Sequence, residues 1–188
     1  WMKGSDRVVE YKTNREKAAE ILINAELMIC ADFNELDRVV GIKEQLGKMK
    51  AVKLLIDHHL NPPDLYDHMY STSDTTSTAE LVYRFINEMG DGTLIDTDMG
   101  ECIFTGIMTD TGCFSHNSSM PKTYEIIADL LRLGINKDKV FDKVYNNYSG
   151  SRMQLMGYVL NEKMVIVPEW HLAYMALSKA ELERYHFM

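Results

Sequence analysis

Apolar positions recur along this chain with two periods, and the switches between them outline the fold. "NREKAAEILINA" (14–25) sets strong helix formers behind Asn14, a residue suited to cap a helix. "ELMICAD" (26–32) is a short apolar run that stops at an acid, as a buried strand does. "ELDRVVGIKEQLGKM" (35–49) places apolar side chains at 36, 39, 40, 42 and 46, one face of a helix. A second strand follows in "AVKLLIDHH", where Val52 to Ile56 are mostly apolar and β-branched. Strand, helix and strand in so short a stretch form a βαβ unit, which requires parallel pairing.

Helical periodicity dominates the next stretch. "STAELVYRFINEMG" (77–90) has Ser77 as cap, Glu80 three residues on and Gly90 as terminator. "DTDMGECIFTGIMTDTG" (96–112) carries a face of Met99, Ile103 and Ile107, and "PKTYEIIADLLRLG" (121–134) opens on Pro and closes on Gly. Two more helices are predicted at 136–148 and 151–162. In "KMVIVPEWHLAYMALS" (163–178) the pattern becomes two short strands around Pro168, the expected opening of a second domain. The predicted class is α/β, a parallel sheet flanked by helices. The expected organisation is a first domain over 1–148, a linker helix over 149–162, and the beginning of a smaller domain over 163–188.

Composition narrows the function classes. The 188 residues are 46% hydrophobic, enough for a packed core. A net charge of −8 argues against holding long nucleic acid by surface attraction, although bound cations can bring nucleotides to an acidic protein. Three cysteines without CxxC spacing fit a reducing, cytoplasmic setting. No apolar stretch reaches the ~18 residues of a membrane span. The opening "WMKGSDRVVEYKT" reads as the interior of a longer protein.

The chemistry is concentrated where the strands end. Ligands of open α/β sheets sit beyond the carboxyl ends of the strands, and both predicted strands end in aspartates, Asp32 and Asp57. His58 and His59 follow Asp57 directly, and Asp110 closes an apolar helix in "TDTG". Carboxylates and imidazoles in one crevice are a ligand set for Mn²⁺, Zn²⁺, Fe²⁺ or Co²⁺. Each piece alone is ordinary: a strand-end Asp is commonly a turn residue, and Gly after a helix is commonly a stop. Their order is much more specific.

That order resembles the DHH phosphoesterase superfamily, and within it the bacterial oligoribonuclease and phosphoadenosine-phosphate phosphatase group. "CADFNELDRV", "LLIDHHLNPP" and "GIMTDTGCFSH" are similar to the family's second, third and fourth motifs, with "STSDTTSTAELVY" between them. The resemblance implies a parallel α/β domain joined by a linker helix to a smaller domain called DHHA1, with two divalent cations, typically Mn²⁺, between them. It implies that Asp32 bridges both metals, that His58 and Asp110 ligate one of them, and that His59 faces the substrate phosphate. Asp57 is then expected to orient an imidazole from behind.

Two family features have no counterpart here: the Asp-x-Asp of the first motif, expected upstream of Trp1, and the glycine-rich motif of DHHA1. The chain alone is therefore expected to be catalytically impaired. The implied activity is nuclease-type hydrolysis, by metal-activated water, of a small nucleotide or a short single-stranded oligonucleotide. Asp32 and His59 are the residues expected to matter most to it, with no membrane partner. A homodimer is an open expectation, since a strand edge lacking its neighbour can pair with another copy. Two alternatives share the metal site: a pyrophosphatase or exopolyphosphatase, and a metal- or nucleotide-binding module without turnover.

Other polar residues carry weaker signals. Arg38 is placed to reach a substrate phosphate or to stand on a helix surface, and His116 either lines the pocket near Asp110 or is solvated. His68, His171 and His186 have no partner pattern, and Asp96 and Asp98 read as acids favoured at a helix start.

Overall fold

The computed structural model describes residues 1–35, 39, 41 and 43–187. The chain divides into two compact units, 1–140 and 141–188.

In the first unit, helix α1 (Arg15–Asn24) leads into strand β1 (Leu27–Ala31). A short helix α2 (Lys43–Lys48) precedes strand β2 (Val52–Asp57). The rest of the helix expected over 35–49, and with it Arg38, falls partly outside the described residues. β1 and β2 pair in parallel, as the βαβ pattern requires, in register Leu27 with Val52 through Ala31 with Ile56.

A third strand, β3 (His68–Ser71), pairs in parallel on the other side of β2 and makes β2 the centre of the sheet. The hydropathy pattern gives no sign of it. His68, read from the sequence as an unpartnered histidine, opens this strand opposite Leu54. Position in the sheet also explains burial along β2. Val52 is exposed at its start, while Leu55, Ile56 and Asp57 are buried at its end. One core cluster gathers Cys30, Leu55 and Tyr66 with Met28, Phe33 and Leu65 packed against them.

Helices α3 (Thr78–Glu88), α4 (Thr97–Asp110) and α5 (Pro121–Arg132) complete the packing, with α3 in contact with β2, α4 and α5. Leu81, Ile103, Phe104, Ile107, Ile126 and Leu130 are buried, whereas Met99, placed by its spacing on the same face as Ile103 and Ile107, is exposed in the first turn of α4. Ser77 caps α3 by accepting the Glu80 amide at 3.1 Å, and Asp96 caps α4 by accepting the Met99 amide at 2.8 Å. Asn14 heads α1 but its side chain makes no cap; its amide donates to Thr13 instead.

Glu80 departs from the reciprocal cap its position promises. Its Oε2 accepts from the Thr76 and Thr123 hydroxyls, each at 2.8 Å, tying the start of α3 to the first turn of α5. Gly106 fits against Ala79 where α4 crosses α3. A Cβ there would stand 2.4 Å from the Ala79 Cβ, so only glycine permits this approach.

Helix α6 (Lys137–Tyr145) runs across the division between the two units. The second unit continues with α7 (Gly150–Tyr158), which widens into a π-helical turn over Val159–Lys163. Strands β4 (Val165–Val167) and β5 (Leu172–Tyr174) form an antiparallel hairpin about Pro168, the pair foreseen from the sequence. Helix α8 (Lys179–Arg184) follows, with Ser178 and Glu181 capping it reciprocally. No helix among the described residues is long and apolar enough to cross a membrane.

Candidate metal centre

The register of the sheet sets the site. Ala31 pairs with Ile56, so β1 and β2 end level and release Asp32 and Asp57 at the same edge. The Asp32 amide still donates to the Ile56 carbonyl at 3.2 Å, and the chain then turns with φ of +65° at Asp32. Aspartate is among the few side chains that visit this left-handed region without heavy penalty. Its Oδ1 accepts the Thr78 hydroxyl at 2.9 Å.

His58 points at two acids together. Its Nε2 lies 3.7 Å from Asp32 Oδ1 and 3.5 Å from Asp110 Oδ2. Two ligand atoms on one cation stand at most about 4.4 Å apart, twice a bond of about 2.2 Å, and both separations satisfy that limit. Asp110 is the last residue of α4, where the helix dipole disfavours an acid by about 0.3–1 kcal/mol. A cation held between Asp110 and His58 would offset that cost.

His59 is held from behind. Its Nδ1 is 2.8 Å from Oδ1 of Asp57, a side chain with no exposed surface, and the two imidazoles meet edge to face at 4.7 Å between centroids. A carboxylate only accepts, so Nδ1 carries the shared hydrogen. The other Asp57 oxygen is buried with no hydrogen-bond partner among the described residues. One ligand atom from each of Asp32, His58 and His59 lies within 4.8 Å of the others. The donor set of one carboxylate and two imidazoles, with Asp110 beside His58, fits a divalent transition cation.

A polar clip fixes the turn that carries the histidines. Buried Asn34 donates to the Leu60 carbonyl at 2.7 Å, and Tyr66 donates its hydroxyl to the Asn34 carbonyl at 2.9 Å. Burial, with Cys30 and Asp57 adding negative charge nearby, pushes the Tyr66 phenol up to about 12, so it stays a donor at neutral pH. Asn34 stands in the motif-like stretch "CADFNELDRV" with no role assigned to it there, and Tyr66 lies outside such stretches. Thr78, in "STSDTTSTAELVY", likewise carries no assigned role, 46 residues from the carboxylate it bonds.

Two hollows flank the cluster. One of about 420 Å³ is lined by Asn34, Glu35, His58, His59 and Leu60. The other, about 290 Å³, lies among Asp32, Thr78, Ala79, Gly106, Thr109 and Asp110. A larger hollow of about 540 Å³ runs along α5 from Pro121 to Arg132, and no imidazole lines it.

His116 lines neither hollow beside the cluster. Its ring lies against Gly112, where a Cβ would come within 2.9 Å of it, in a turn that holds Gly112, Cys113 and Phe114 at positive φ. Thr111 fastens that turn, its hydroxyl accepting the Phe114 amide at 3.0 Å and its carbonyl the His116 amide at 2.9 Å. Cys30, Cys102 and Cys113 are all free thiols.

With this geometry in place, comparison with known proteins is direct. Residues 3–107 match the DHH family, N-terminal domain, and the chain belongs to that family. A solved structure of an exopolyphosphatase-related protein from Bacteroides fragilis matches all of this chain and 55% of its own, with a TM-score of 0.95 and 39% identity. An uncharacterised protein of Mycoplasma pneumoniae is 32% identical over 88% of the chain and 49% of its own length. The Bacillus subtilis bifunctional oligoribonuclease and PAP phosphatase NrnA is 24% identical over 85% of the chain and 49% of its own. The chain thus spans about half the length of the curated relatives it matches.

Proposed function

We propose that this chain carries the metal-holding domain of a Mn²⁺-dependent phosphoesterase that hydrolyses phosphoadenosine phosphate and very short single-stranded oligonucleotides. The observation that carries the reading is His58 Nε2 standing within 3.7 Å of Asp32 and 3.5 Å of Asp110 at the carboxyl edge of a family-matched sheet. The Bacillus subtilis relative's name supports the substrate class.

Asp32, His58 and Asp110 hold the cation. A bound divalent ion supplies Lewis acidity and lowers the pKa of water toward neutrality. His59, oriented through Nδ1 by Asp57, faces the substrate phosphate and offsets charge growing on its oxygens. Asn34, Tyr66 and Thr78 keep these groups in place so that little reorganisation accompanies reaction. The net charge of −8 supports a short substrate brought in through cations over a long nucleic acid. Three free thiols support a cytoplasmic setting.

A second reading, hydrolysis of polyphosphate or pyrophosphate, is favoured by the Bacteroides fragilis neighbour, described as exopolyphosphatase-related. One assay separates the two. The full-length protein in Mn²⁺ buffer is given phosphoadenosine phosphate, a dinucleotide, pyrophosphate and tripolyphosphate, with Asp32→Ala alongside. Cleavage of the nucleotides that Asp32→Ala abolishes supports the first reading. Faster turnover of the phosphoanhydrides transfers the assignment to the second, and no turnover of any substrate leaves a binding module.

A further inference from the structure

We infer that the Thr78 hydroxyl is a positioning group for the Asp32 carboxylate, fixing the side chain that the proposed function places on the cation. The inference rests on that reading of the site.

Among the described residues little restrains the Asp32 side chain. Its side chain is 63% exposed, and a carboxylate so open to solvent samples several rotamers. Among the described residues one side-chain hydrogen bond holds it, from Thr78 to Oδ1 at 2.9 Å. The same Oδ1 is the atom that faces His58. Losing the Thr78 hydroxyl therefore frees one of the two carboxylates that face the His58 imidazole.

Thr78 is built to give that restraint. It is buried, 5% exposed, and it is the first residue of an eleven-residue helix. The helix start does not need its hydroxyl, because Ser77 already accepts the Glu80 amide. Two contacts fix its backbone in turn. The Glu80 carboxyl binds Thr76 and Thr123, which ties this turn to α5. The Ala79–Gly106 contact sets the spacing between α3 and α4, and α4 ends at Asp110. The hydroxyl therefore reaches the most exposed acid of the cluster from a rigid base.

The test is Mn²⁺ affinity, read by electron paramagnetic resonance on the full chain stripped of metal, so that it does not depend on turnover. Thr78→Val keeps the shape and removes the donor; Thr78→Ser keeps the donor and removes a methyl. Groups that orient metal ligands typically change affinity by about 10–100-fold when removed. Thr78→Val is expected to raise the Kd by about 10-fold or more on that basis, with an unchanged melting temperature, and Thr78→Ser to remain near wild type. Thr78→Ala replaces the valine variant if that one fails to fold. Asp32→Ala separates the two levels of inference. If it abolishes binding while Thr78→Val binds as wild type, the positioning role is overturned and the metal centre stands. Equally weak binding by Thr78→Ser and Thr78→Val also overturns it, because packing of the methyl would then be the cause. If Asp32→Ala binds as well as wild type, the metal-centre reading falls, and the inference with it.

Discussion

His59 donates through Nδ1 to Asp57 at 2.8 Å, and Asp57 has no exposed surface. A buried acid orienting an exposed-side imidazole is the arrangement by which proteins fix a ring's tautomer and direction. Among the described residues no carboxylate supports His58 from behind in this way, and its Nε2 turns to Asp32 and Asp110. The two neighbouring histidines therefore differ in their surroundings.

Replacing each in turn tests that division. His58→Ala is expected to lose bound Mn²⁺, and His59→Ala to keep it while turnover falls by about 100-fold or more, the range for a positioned proton-transfer or charge-stabilising group. Metal content by mass spectrometry and initial rates on a dinucleotide, both in the full-length protein, are the two readouts. Metal lost with His59→Ala and kept with His58→Ala would reverse the roles, a result the 4.8 Å grouping of Asp32, His58 and His59 makes worth measuring.

Gly106→Ala forces a methyl to within 2.4 Å of the Ala79 Cβ. Overpacking of this kind costs about 1–3 kcal/mol and moves backbone. Reduced stability in urea is expected, together with weaker Mn²⁺ binding as Thr78 shifts from Asp32. Adding Ala79→Gly in the same chain should recover much of both losses. Failure of the double variant to recover either would locate the strain elsewhere.

Glu80→Ala removes an acceptor shared by two buried hydroxyls. Leaving them without their partner should cost about 2–4 kcal/mol, and Thr123→Val about 1 kcal/mol. Urea unfolding checks both numbers. A cost for Glu80→Ala no larger than that for Thr123→Val would mean that water replaces the carboxyl without loss.

The second unit has an acid-sensitive tie. Glu181 is held well below the usual carboxylate range, first by the Tyr158 hydroxyl, then by the Lys163 ammonium and the Ser178 amide and hydroxyl. A depressed folded-state value means that the stabilisation is complete above the unfolded value of about 4.3 and is lost as pH falls below it toward the folded value. Near-ultraviolet circular dichroism of the stacked Tyr158–Tyr185 pair should weaken in that acid range. Glu181→Gln should make the signal insensitive to pH there; an unchanged acid transition in that variant would assign it to another carboxylate.

Sequence legibility followed the length and periodicity of each element. Helices α3, α4 and α5 bury most of the faces their spacing marks, Met99 at the start of α4 excepted, because each has several turns over which a period can be recognised. β1 and β2 were legible as apolar runs ending in acids. β3 was not, since its four residues, His-Met-Tyr-Ser, stand at a sheet edge where no continuous apolar run is required. The acids and imidazoles of the site announce themselves through motif order. The roles of Thr78, Asn34 and Tyr66 do not, even where Thr78 and Asn34 fall within the motif-like stretches, because a hydroxyl or amide acquires its role only from a partner that the fold brings near.

The level ending of β1 and β2 also determines where this gene can change length. Side chains along a strand alternate faces, so one codon inserted within Leu54–Ile56 would reverse the outlook of Asp57 and carry both histidines half a period out of phase with Asp32. An extra residue at Asn61–Asp64, beyond the Asn34–Leu60 clip, leaves that phase untouched. Insertions and deletions should therefore survive selection in the segment after Leu60 and be purged from the strand a few codons earlier.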